Sequence, residues 1–296
     1  MPTTTTDRPH PAARPHPAVR PAAPGTLRLA RPTARTFPGR RPAPLAGIEL
    51  AFMTDFLAAF GEEPDHGRYA RGGGHTFTDM ARDLLDGLER PLPPLDRLLL
   101  AHHLPDLSVV EVAGCYLAER CPGDPEVYSV AGQGVGAPFT ALRILSATRR
   151  GGDLAEGAVL VLDQTTVPYR DPDVDGTPLP PRDCAVLVRT DCAGTEPGAD
   201  LDFVDERTAD PGETLRALLD RHPEARLAAG RQLVERLDAR LRADERLVEG
   251  AGDLHCTSAW AALAEHWTPE RYQLVADWDP HAGRLFTAGL HPGAEL

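Results

Sequence analysis

The sequence contains no lysine and no asparagine, so all 31 of its basic residues are arginines. Without lysine, Schiff-base catalysis and a phosphate-binding loop with its lysine are both excluded. The five cysteines form an odd set without CxxC spacing, which argues against a disulfide framework and against a structural zinc site. No apolar run approaches the roughly 20 residues of a membrane span, and the N-terminus lacks the apolar core of a secretory signal. We therefore expect a cytoplasmic protein with reduced thiols and no membrane association.

Residues 1–44 differ in composition from the rest of the chain. They hold eleven of the thirty prolines and eight arginines but a single acid, Asp7, in a protein whose net charge is −13. Such a segment cannot bury enough apolar surface to offset the entropy lost on ordering it. The sequence therefore predicts a disordered tail over residues 1–44. The acidic remainder of the chain argues against nucleic-acid binding.

From residue 45 onward, strand and helix patterns alternate in an order that occurs twice. Apolar periodicity predicts, in the first half, helices 78–88, 109–120 and 138–150 and strands 47–52, 97–101, 126–130, 158–163 and 184–189. In the second half it predicts helices 213–221, 232–242 and 258–265 and strands 201–204, 226–229, 246–249, 272–277 and 284–289. Each half has the order βαβαβαββ, which predicts one duplicated α/β domain over residues 45–296, with halves 45–192 and 193–296.

A glycine-rich turn over residues 131–136 lies between a predicted strand and an apolar helix that opens at Pro138. Proline is tolerated in the first turn of a helix because the N–H that it lacks has no partner there. This helix and its counterpart 258–265 are apolar on nearly all faces, which places both of them inside the domain. Two sheets packed back to back predict α-β-α-β-α layers, with the N-termini of the two central helices meeting at one cleft.

Four stretches of the chain resemble a known family. They are TFTDMARDLLDGLERPLPPLDRLLLAHHLPD (76–106), VYSVAGQGVGAPFTALRI (127–144), AVLVLDQTT (158–166) and HCTSAWAALA (255–264). The sequence is similar there to the thiolase superfamily, and most closely to its ketoacyl-ACP synthase III branch. The resemblance implies a thiolase-like fold, a dimer formed through the edge strand of the first half, and acyl groups carried on CoA or on an acyl carrier protein.

The residues that do the chemistry in that family are missing from the matching positions. The family's cysteine, in a Cys-x-Gly pattern, falls on Gly134, or on Val135 if the alignment shifts by one residue. Its histidine falls near residues 229–231, where the sequence Ala-Gly-Arg has no imidazole, and its asparagine falls on Cys256. Because the chain contains no asparagine, no realignment restores the Cys-His-Asn set.

Reactive side chains near the predicted cleft are therefore the catalytic candidates: Cys256, His255, His102 and His103. A helix N-terminus favours a thiolate, which supports Cys256 as a nucleophile, whereas the other interpretation is a small buried thiol that fills the space of an amide. His102 and His103 are either acid-base groups or a solvated pair at a strand end. The candidate substrate-binding positions are Gly132, Gly134, Val135, Gly136, Phe139, Thr257 and Ser258.

Two further polar segments have ordinary structural interpretations beside their functional ones. Residues 163–166 (DQTT) end a strand and either bring polar groups to the cleft or form a simple strand-to-loop transition. The acidic run 171–175 (DPDVD) has the carboxylates of a metal site, but the glycine and prolines after it favour an acidic loop. We expect no metal and no bound cofactor, with an acyl-CoA or acyl-carrier-protein thioester as the candidate substrate.

Two functional interpretations follow from the missing residues. The first is an enzyme of specialised metabolism that transfers or condenses acyl groups without the standard acyl-cysteine, by holding the reactants together beside backbone donors. The second is a pseudoenzyme, a degenerate subunit that binds an acyl ligand or supports an active ketosynthase. The expected partners are a second copy in a homodimer or an active ketosynthase in a heterodimer, together with an acyl carrier protein.

Overall fold

Two mixed β-sheets form the frame of the protein in the computed structural model, which describes residues 25–170, 182–252 and 254–293. One sheet consists of β2 (Thr33–Phe37), β3 (Arg97–His102), β4 (Glu126–Val130), β5 (Gly157–Asp163) and β6 (Asp183–Arg189), in the order β2-β6-β5-β3-β4. The other consists of β1 (Arg28–Ala30), β7 (Gly198–Arg207), β8 (Arg226–Ala229), β9 (Leu247–Glu249), β10 (Gln273–Asp279) and β11 (Arg284–Pro292), in the order β1-β7-β11-β10-β8-β9. We call them the first and the second sheet.

The two sheets repeat one topology. In the first sheet β3 is parallel to β4 and β5, while β6 is antiparallel to both β5 and β2. In the second sheet β8 is parallel to β9 and β10, while β11 is antiparallel to both β10 and β7. The predicted duplication is therefore confirmed in both strand order and strand direction.

Helices cover both outer faces of the sheets and fill the space between them. Their bounds are α1 (Gly47–Ala58), α2 (His66–Tyr69), α3 (Phe77–Asp86), α4 (Ala113–Arg120), α5 (Ala137–Gly151), α6 (Pro211–Arg221), α7 (Arg231–Val234), α8 (Ala239–Arg242) and α9 (Ser258–Glu265). Apolar side chains of α3 and α4 pack on the first sheet, and those of α6, α7 and α8 pack on the second. Helices α5 and α9 lie in the central cluster with side chains from both sheets, which confirms the α-β-α-β-α layers.

The central layer is held together by aromatic side chains from three elements. The ring of Phe139 in α5 lies 5.1 Å from that of Trp260 in α9 and 5.8 Å from that of Phe286 in β11. All three side chains are buried. Large rings bury the most apolar area per residue, so these contacts fix the two central helices against each other.

The predicted disordered tail is wrong for the part of it that the structure describes. Strand β1 pairs with β7 and strand β2 pairs with β6, so residues 28–37 contribute to both sheets, with Pro32 in the short passage between them. Leu29 and Phe37 are buried, while Arg31 and Arg35 are exposed. Composition alone hid these buried side chains, because arginine and proline outnumber the apolar residues. Residues 1–24 lie outside the described residues, as does the acidic run 171–175.

Two element assignments also change. The segment predicted as strand 47–52 is the start of helix α1, in which Met53 and Leu57 stand four residues apart and are buried on one face. With β2 as the first strand instead, and with α1, α2 and α3 together in the place of the first helix, the first half keeps the order βαβαβαββ. The predicted helix 232–242 is two short helices, and Asp238 caps the second by accepting a hydrogen bond from the Leu241 N–H at 2.9 Å.

None of the helices within the described ranges is long and apolar enough to span a membrane.

Candidate functional site

The N-terminal ends of the two central helices meet at one cleft. The Cys256 Sγ, just before α9, lies 3.7 Å from the carbonyl oxygen of Gly134, in the short 3₁₀ turn that leads into α5. The predicted juxtaposition of residues 134 and 256 is therefore confirmed. Symmetry of the duplicated fold accounts for it, because α5 and α9 occupy equivalent places in the two halves.

Asp163, the last residue of β5, anchors the segment that precedes α9. Its carboxylate accepts hydrogen bonds from the backbone N–H of His255 at 2.8 Å, of Cys256 at 3.0 Å and of Thr257 at 3.0 Å. It also accepts one from the Thr257 hydroxyl at 2.5 Å. A carboxylate facing several N–H groups at a helix start is favoured by their partial positive charge. Asp163 thus joins the two halves of the chain at the cleft and fixes the positions of residues 255–257.

A cavity of about 590 Å³ opens beside this junction. Four of the predicted site residues line it, namely Gly132, Gly134, His103 and His255. Its other lining residues are Leu104, Pro105, Gln133, Tyr169, Glu206, Asp279, Pro280, His281, Ala282, Arg284 and Phe286. The wall therefore combines imidazole, carboxylate and guanidinium groups with apolar surface, the mixed lining that small-molecule sites have.

The adjacent histidines His102 and His103 point in different directions. His103 lines the cavity, whereas the His102 ring packs edge-on against Phe77 of α3 with 4.9 Å between ring centroids. The Nδ1 atom of His102 lies 2.8 Å from the Leu104 carbonyl oxygen, and burial lowers the pKa of this imidazole. Strand β3 ends at His102 and the chain bends at His103, so only one of the two reaches the cleft.

The remaining predicted binding positions lie behind the cavity wall. Val135 and Phe139 are buried in the central core, and a Cβ at Gly136 would meet the Phe286 ring at 2.4 Å. Thr257 is buried against Asp163, and the Ser258 hydroxyl donates to the Ala251 carbonyl oxygen at 3.3 Å. None of these five residues lines the cavity described above, so the structure gives them packing and anchoring roles.

Cys256 is enclosed and its surroundings favour the neutral thiol. The residue is 1% exposed. Burial raises the pKa of the thiol well above its ordinary value, and Asp163 and Asp277 raise it further. These effects outweigh the helix N-terminus that would favour a thiolate. The environment matches the interpretation of Cys256 as a packed thiol.

His255 is a neutral imidazole at the inner wall of the cavity. Burial lowers the pKa of His255 to about 4, and the negative charge of Asp163 acts against that lowering. The ring stacks on that of His103 with 4.6 Å between centroids. A neutral imidazole can accept a proton or a metal ion, whereas the imidazolium can do neither.

Two carboxylates that no sequence motif marked as site residues stand in front of Gly134 and Gly230. A Cβ at Gly134 would lie 2.2 Å from the Asp279 Oδ2, and a Cβ at Gly230 would lie within 2.2 Å of both Asp277 carboxyl oxygens. Both acids lie on β10, on the same face as Val275 of the central core. Burial raises the pKa of Asp277 well above its ordinary value. The only sequence signal was two acids at alternate positions in an otherwise apolar strand.

No family model matches the chain, and no curated protein does. Among solved structures, the 3-oxoacyl-(acyl carrier protein) synthase III of Pseudomonas aeruginosa PAO1 is similar, with a TM-score of 0.55 and 14% identity over 92% of this chain and 99% of that one. The 3-oxoacyl-[acyl-carrier-protein] synthase III of Aquifex aeolicus VF5 is similar with a TM-score of 0.56 and 14% identity, over 90% of this chain and 100% of that one. AbyA1, described as a tetronic acid condensing enzyme, is similar with a TM-score of 0.56 and 15% identity, over 90% of this chain and 100% of that one. The chain has a thiolase-like fold. The resemblance inferred from the sequence is therefore confirmed at the level of the fold.

Within the thiolase-like fold, the glycines at positions 134 and 230 coincide with the places where the resemblance expects the cysteine and the histidine. Gly134 has a φ of +51°, a left-handed conformation that a residue with a side chain adopts only at a cost. In both places a carboxylate from β10 takes up the space in front of the glycine. Carboxylates, rather than a thiol and an imidazole, therefore stand at these two places.

Restoring a side chain at residue 134 should destabilise the protein. We expect Gly134→Ala to lower the free energy of unfolding by about 2–4 kcal/mol, from left-handed backbone strain and from crowding against Asp279. Urea denaturation measures the effect. Gly132→Ala is the matched control, because Gly132 has a φ of +69° but open space around its Cβ. A loss no larger than that of the control would contradict the crowding by Asp279.

Proposed function

We propose that this protein is a degenerate ketoacyl synthase III-like subunit that binds an acyl thioester without becoming acylated and acts as the partner of an active ketosynthase. The observation that carries the proposal is the filling of the two catalytic positions. Asp279 stands in front of Gly134 and Asp277 in front of Gly230, so neither a nucleophile nor an imidazole base has room at those positions.

Covalent acyl transfer needs an activated nucleophile with a base beside it. The sulfur nearest to the cleft, in Cys256, is fully enclosed and held as the thiol by burial, which raises its pKa. The nearest imidazole in sequence, His255, is hydrogen-bonded to Asp163 through its backbone N–H rather than through its ring. The described part of the cleft therefore supports ligand binding in the cavity without an acyl-cysteine.

A partner through the edge of the first sheet fits the proposal. Strand β4 lies at the end of the first sheet and pairs with β3 along one side. Its Tyr128 is 50% exposed, and an edge strand presents backbone groups to which a second chain can add. The partner in this proposal is a ketosynthase that has its own nucleophile, and an acyl carrier protein delivers the ligand to the pair.

Intact-mass analysis tests the absence of an acyl-enzyme. We expect the protein to stay unmodified after incubation with acyl-CoA thioesters of increasing chain length, because Cys256 is neither ionised nor accessible. A ketosynthase III with an intact cysteine, treated in the same way, is the positive control and gains one acyl mass. An adduct on this protein that disappears in Cys256→Ser would refute the proposal.

A second function is supported by the lining of the cavity. His103, His255 and Asp279 all face it, so a bound thioester and a bound acceptor would have proton-transferring groups within the same space. Direct transfer between the two ligands is the chemistry that this arrangement favours. Product formation from acyl-CoA and a carrier-protein acceptor, without any acyl adduct and without a partner enzyme, would select this function over the first.

A further inference from the structure

Three different metal-binding side chains converge at the cleft. A carboxylate oxygen of Asp163, a ring nitrogen of His255 and the sulfur of Cys256 all lie within 4.8 Å of one another, and all three residues are buried. The set comes from two distant parts of the chain, the end of β5 and the start of α9. It mixes oxygen, nitrogen and sulfur donors, which is a different pattern from an ordinary patch of surface acids.

The hydrogen-bonding state of these side chains leaves room for a further ligand. The Nδ1 atom of His255 is buried and has no hydrogen-bond partner among the described residues. The residue is only 5% exposed, so bulk water does not reach this atom either. Burying a polar atom without a partner costs free energy, so an unsatisfied ring nitrogen in a packed wall calls for an explanation. The Asp163 Oδ1 accepts from the Cys256 N–H, whereas the Oδ2 takes the other three hydrogen bonds. One Asp163 oxygen therefore keeps acceptor capacity.

The local charge also favours a cation. Asp163 and Asp279 are both buried beside the cleft. Within residues 25–170, 182–252 and 254–293, no arginine forms an ion pair with either carboxylate. Buried carboxylates are otherwise paired or bind metal ions, because an isolated buried charge is very costly.

We propose that Asp163, His255 and Cys256 bind one divalent transition-metal ion, with Zn²⁺ as the favoured ion. Thiolate and imidazole donors together suit Zn²⁺ better than Mg²⁺ or Ca²⁺, which take oxygen ligands. Binding forms a bond from the metal to each donor and releases the proton of the Cys256 thiol to solvent. Losing this proton breaks only a weak hydrogen bond, the one from the Cys256 Sγ to the Gly134 carbonyl oxygen at 3.7 Å.

The geometry needs little change for this role. Zinc bonds of about 2.0–2.3 Å put neighbouring donors of a tetrahedral site roughly 3.5 Å apart, so donors now within 4.8 Å must close by about 1 Å. The Asp163 hydrogen bonds to residues 255–257 already hold the three ligands on one rigid unit. Because His255 lines the 590 Å³ cavity, the fourth position of the metal would face the cavity and take water or a ligand.

Cobalt substitution tests the site directly. We expect the metal-free full-length protein to bind one equivalent of Co²⁺ and to develop a thiolate-to-cobalt charge-transfer band, which one equivalent of Zn²⁺ then displaces. Elemental analysis after Zn²⁺ loading and dialysis should give the same stoichiometry. A folded wild-type protein that shows neither the band nor stoichiometric zinc would overturn the proposal without recourse to any variant.

Matched variants assign the ligands. Cys256→Ser should abolish the charge-transfer band, and His255→Gln should weaken Co²⁺ affinity at least about 100-fold, since even residues that only support a ligand cost 10–100-fold. Cys121→Ser is the control, because Cys121 is also a buried thiol but lies in the outer cluster with α4. A band that persists in Cys256→Ser and vanishes in Cys121→Ser would place the metal elsewhere and refute the assignment. These measurements use metal alone, so they stand or fall independently of the proposed acyl-thioester function.

Discussion

Asp163→Ala is expected to lower the free energy of unfolding by about 3–6 kcal/mol. The substitution removes the acceptor for three buried backbone N–H groups and one hydroxyl, and each buried donor left without a partner costs about 1–3 kcal/mol. The carboxylate also faces the start of α9, where its charge stabilises the helix. Denaturant unfolding followed by far-ultraviolet circular dichroism measures the loss.

Two controls isolate the contribution of the Asp163 hydrogen bonds. Thr257→Val removes only the hydroxyl donor and should cost about 1.5–3 kcal/mol, as one hydrogen bond to a charged group does. Asp153→Ala removes an exposed carboxylate from the loop after α5 and should change stability by no more than about 0.5 kcal/mol. If Asp163→Ala costs no more than Thr257→Val, the three backbone N–H groups are satisfied in another way and Asp163 is not the anchor.

The cleft could be predicted because it follows from the repeat. Strands β4 and β8 and helix α9 have the predicted bounds, since each has a clear apolar pattern between turn residues. Once two halves share one order, their third helices must be equivalent, and the pairing of residue 134 with residue 256 follows from symmetry. No distance information was needed for that step.

The chemistry inside the cleft was harder to predict, because it depends on contacts between distant residues. Asp163 bonds to groups 92–94 positions away, and in the sequence it ends an ordinary strand. Asp277 and Asp279 belong to an apolar strand, and only the two-residue period shows that both face inward. His102 and His103 differ because β3 ends at His102 and the chain bends at His103. Residue type alone cannot decide which acids and histidines of a strand reach a cleft.

The N-terminal strands were missed for a compositional reason. Residues 25–44 share the arginine and proline content of the segment before them, so a prediction from composition treats both alike. What distinguishes residues 28–37 is that they pair with a strand of each sheet and place a few apolar side chains in the core. Strand pairing with distant residues overrides local composition here. Composition gives the average residue content of a segment and does not record the positions of its apolar residues.

Deletion of residues 1–44 is accordingly expected to abolish cooperative folding. It removes β1 and β2 together with the buried side chains of Leu27, Leu29 and Phe37. Fully burying each such side chain contributes about 1.5–3 kcal/mol, so the three together approach the roughly 5–15 kcal/mol by which a typical domain is stable. Calorimetry and gel filtration should show no cooperative transition and aggregated material. A protein that starts at residue 25 is the matched control, because disorder of residues 1–24 stays a prediction.

A point substitution tests the same strands in the full-length chain. Leu29→Ala should lower the free energy of unfolding by about 2–5 kcal/mol, because Leu29 is completely buried in the central core and its truncation leaves a cavity there. Arg31→Ala, at the exposed residue between β1 and β2, should change it by no more than about 0.5 kcal/mol. The opposite outcome would be equally small changes in unfolding free energy for the two substitutions, together with a deletion variant that has the melting temperature of the full-length protein. It would mean that β1 and β2 are dispensable and that the predicted disorder of residues 1–44 is right.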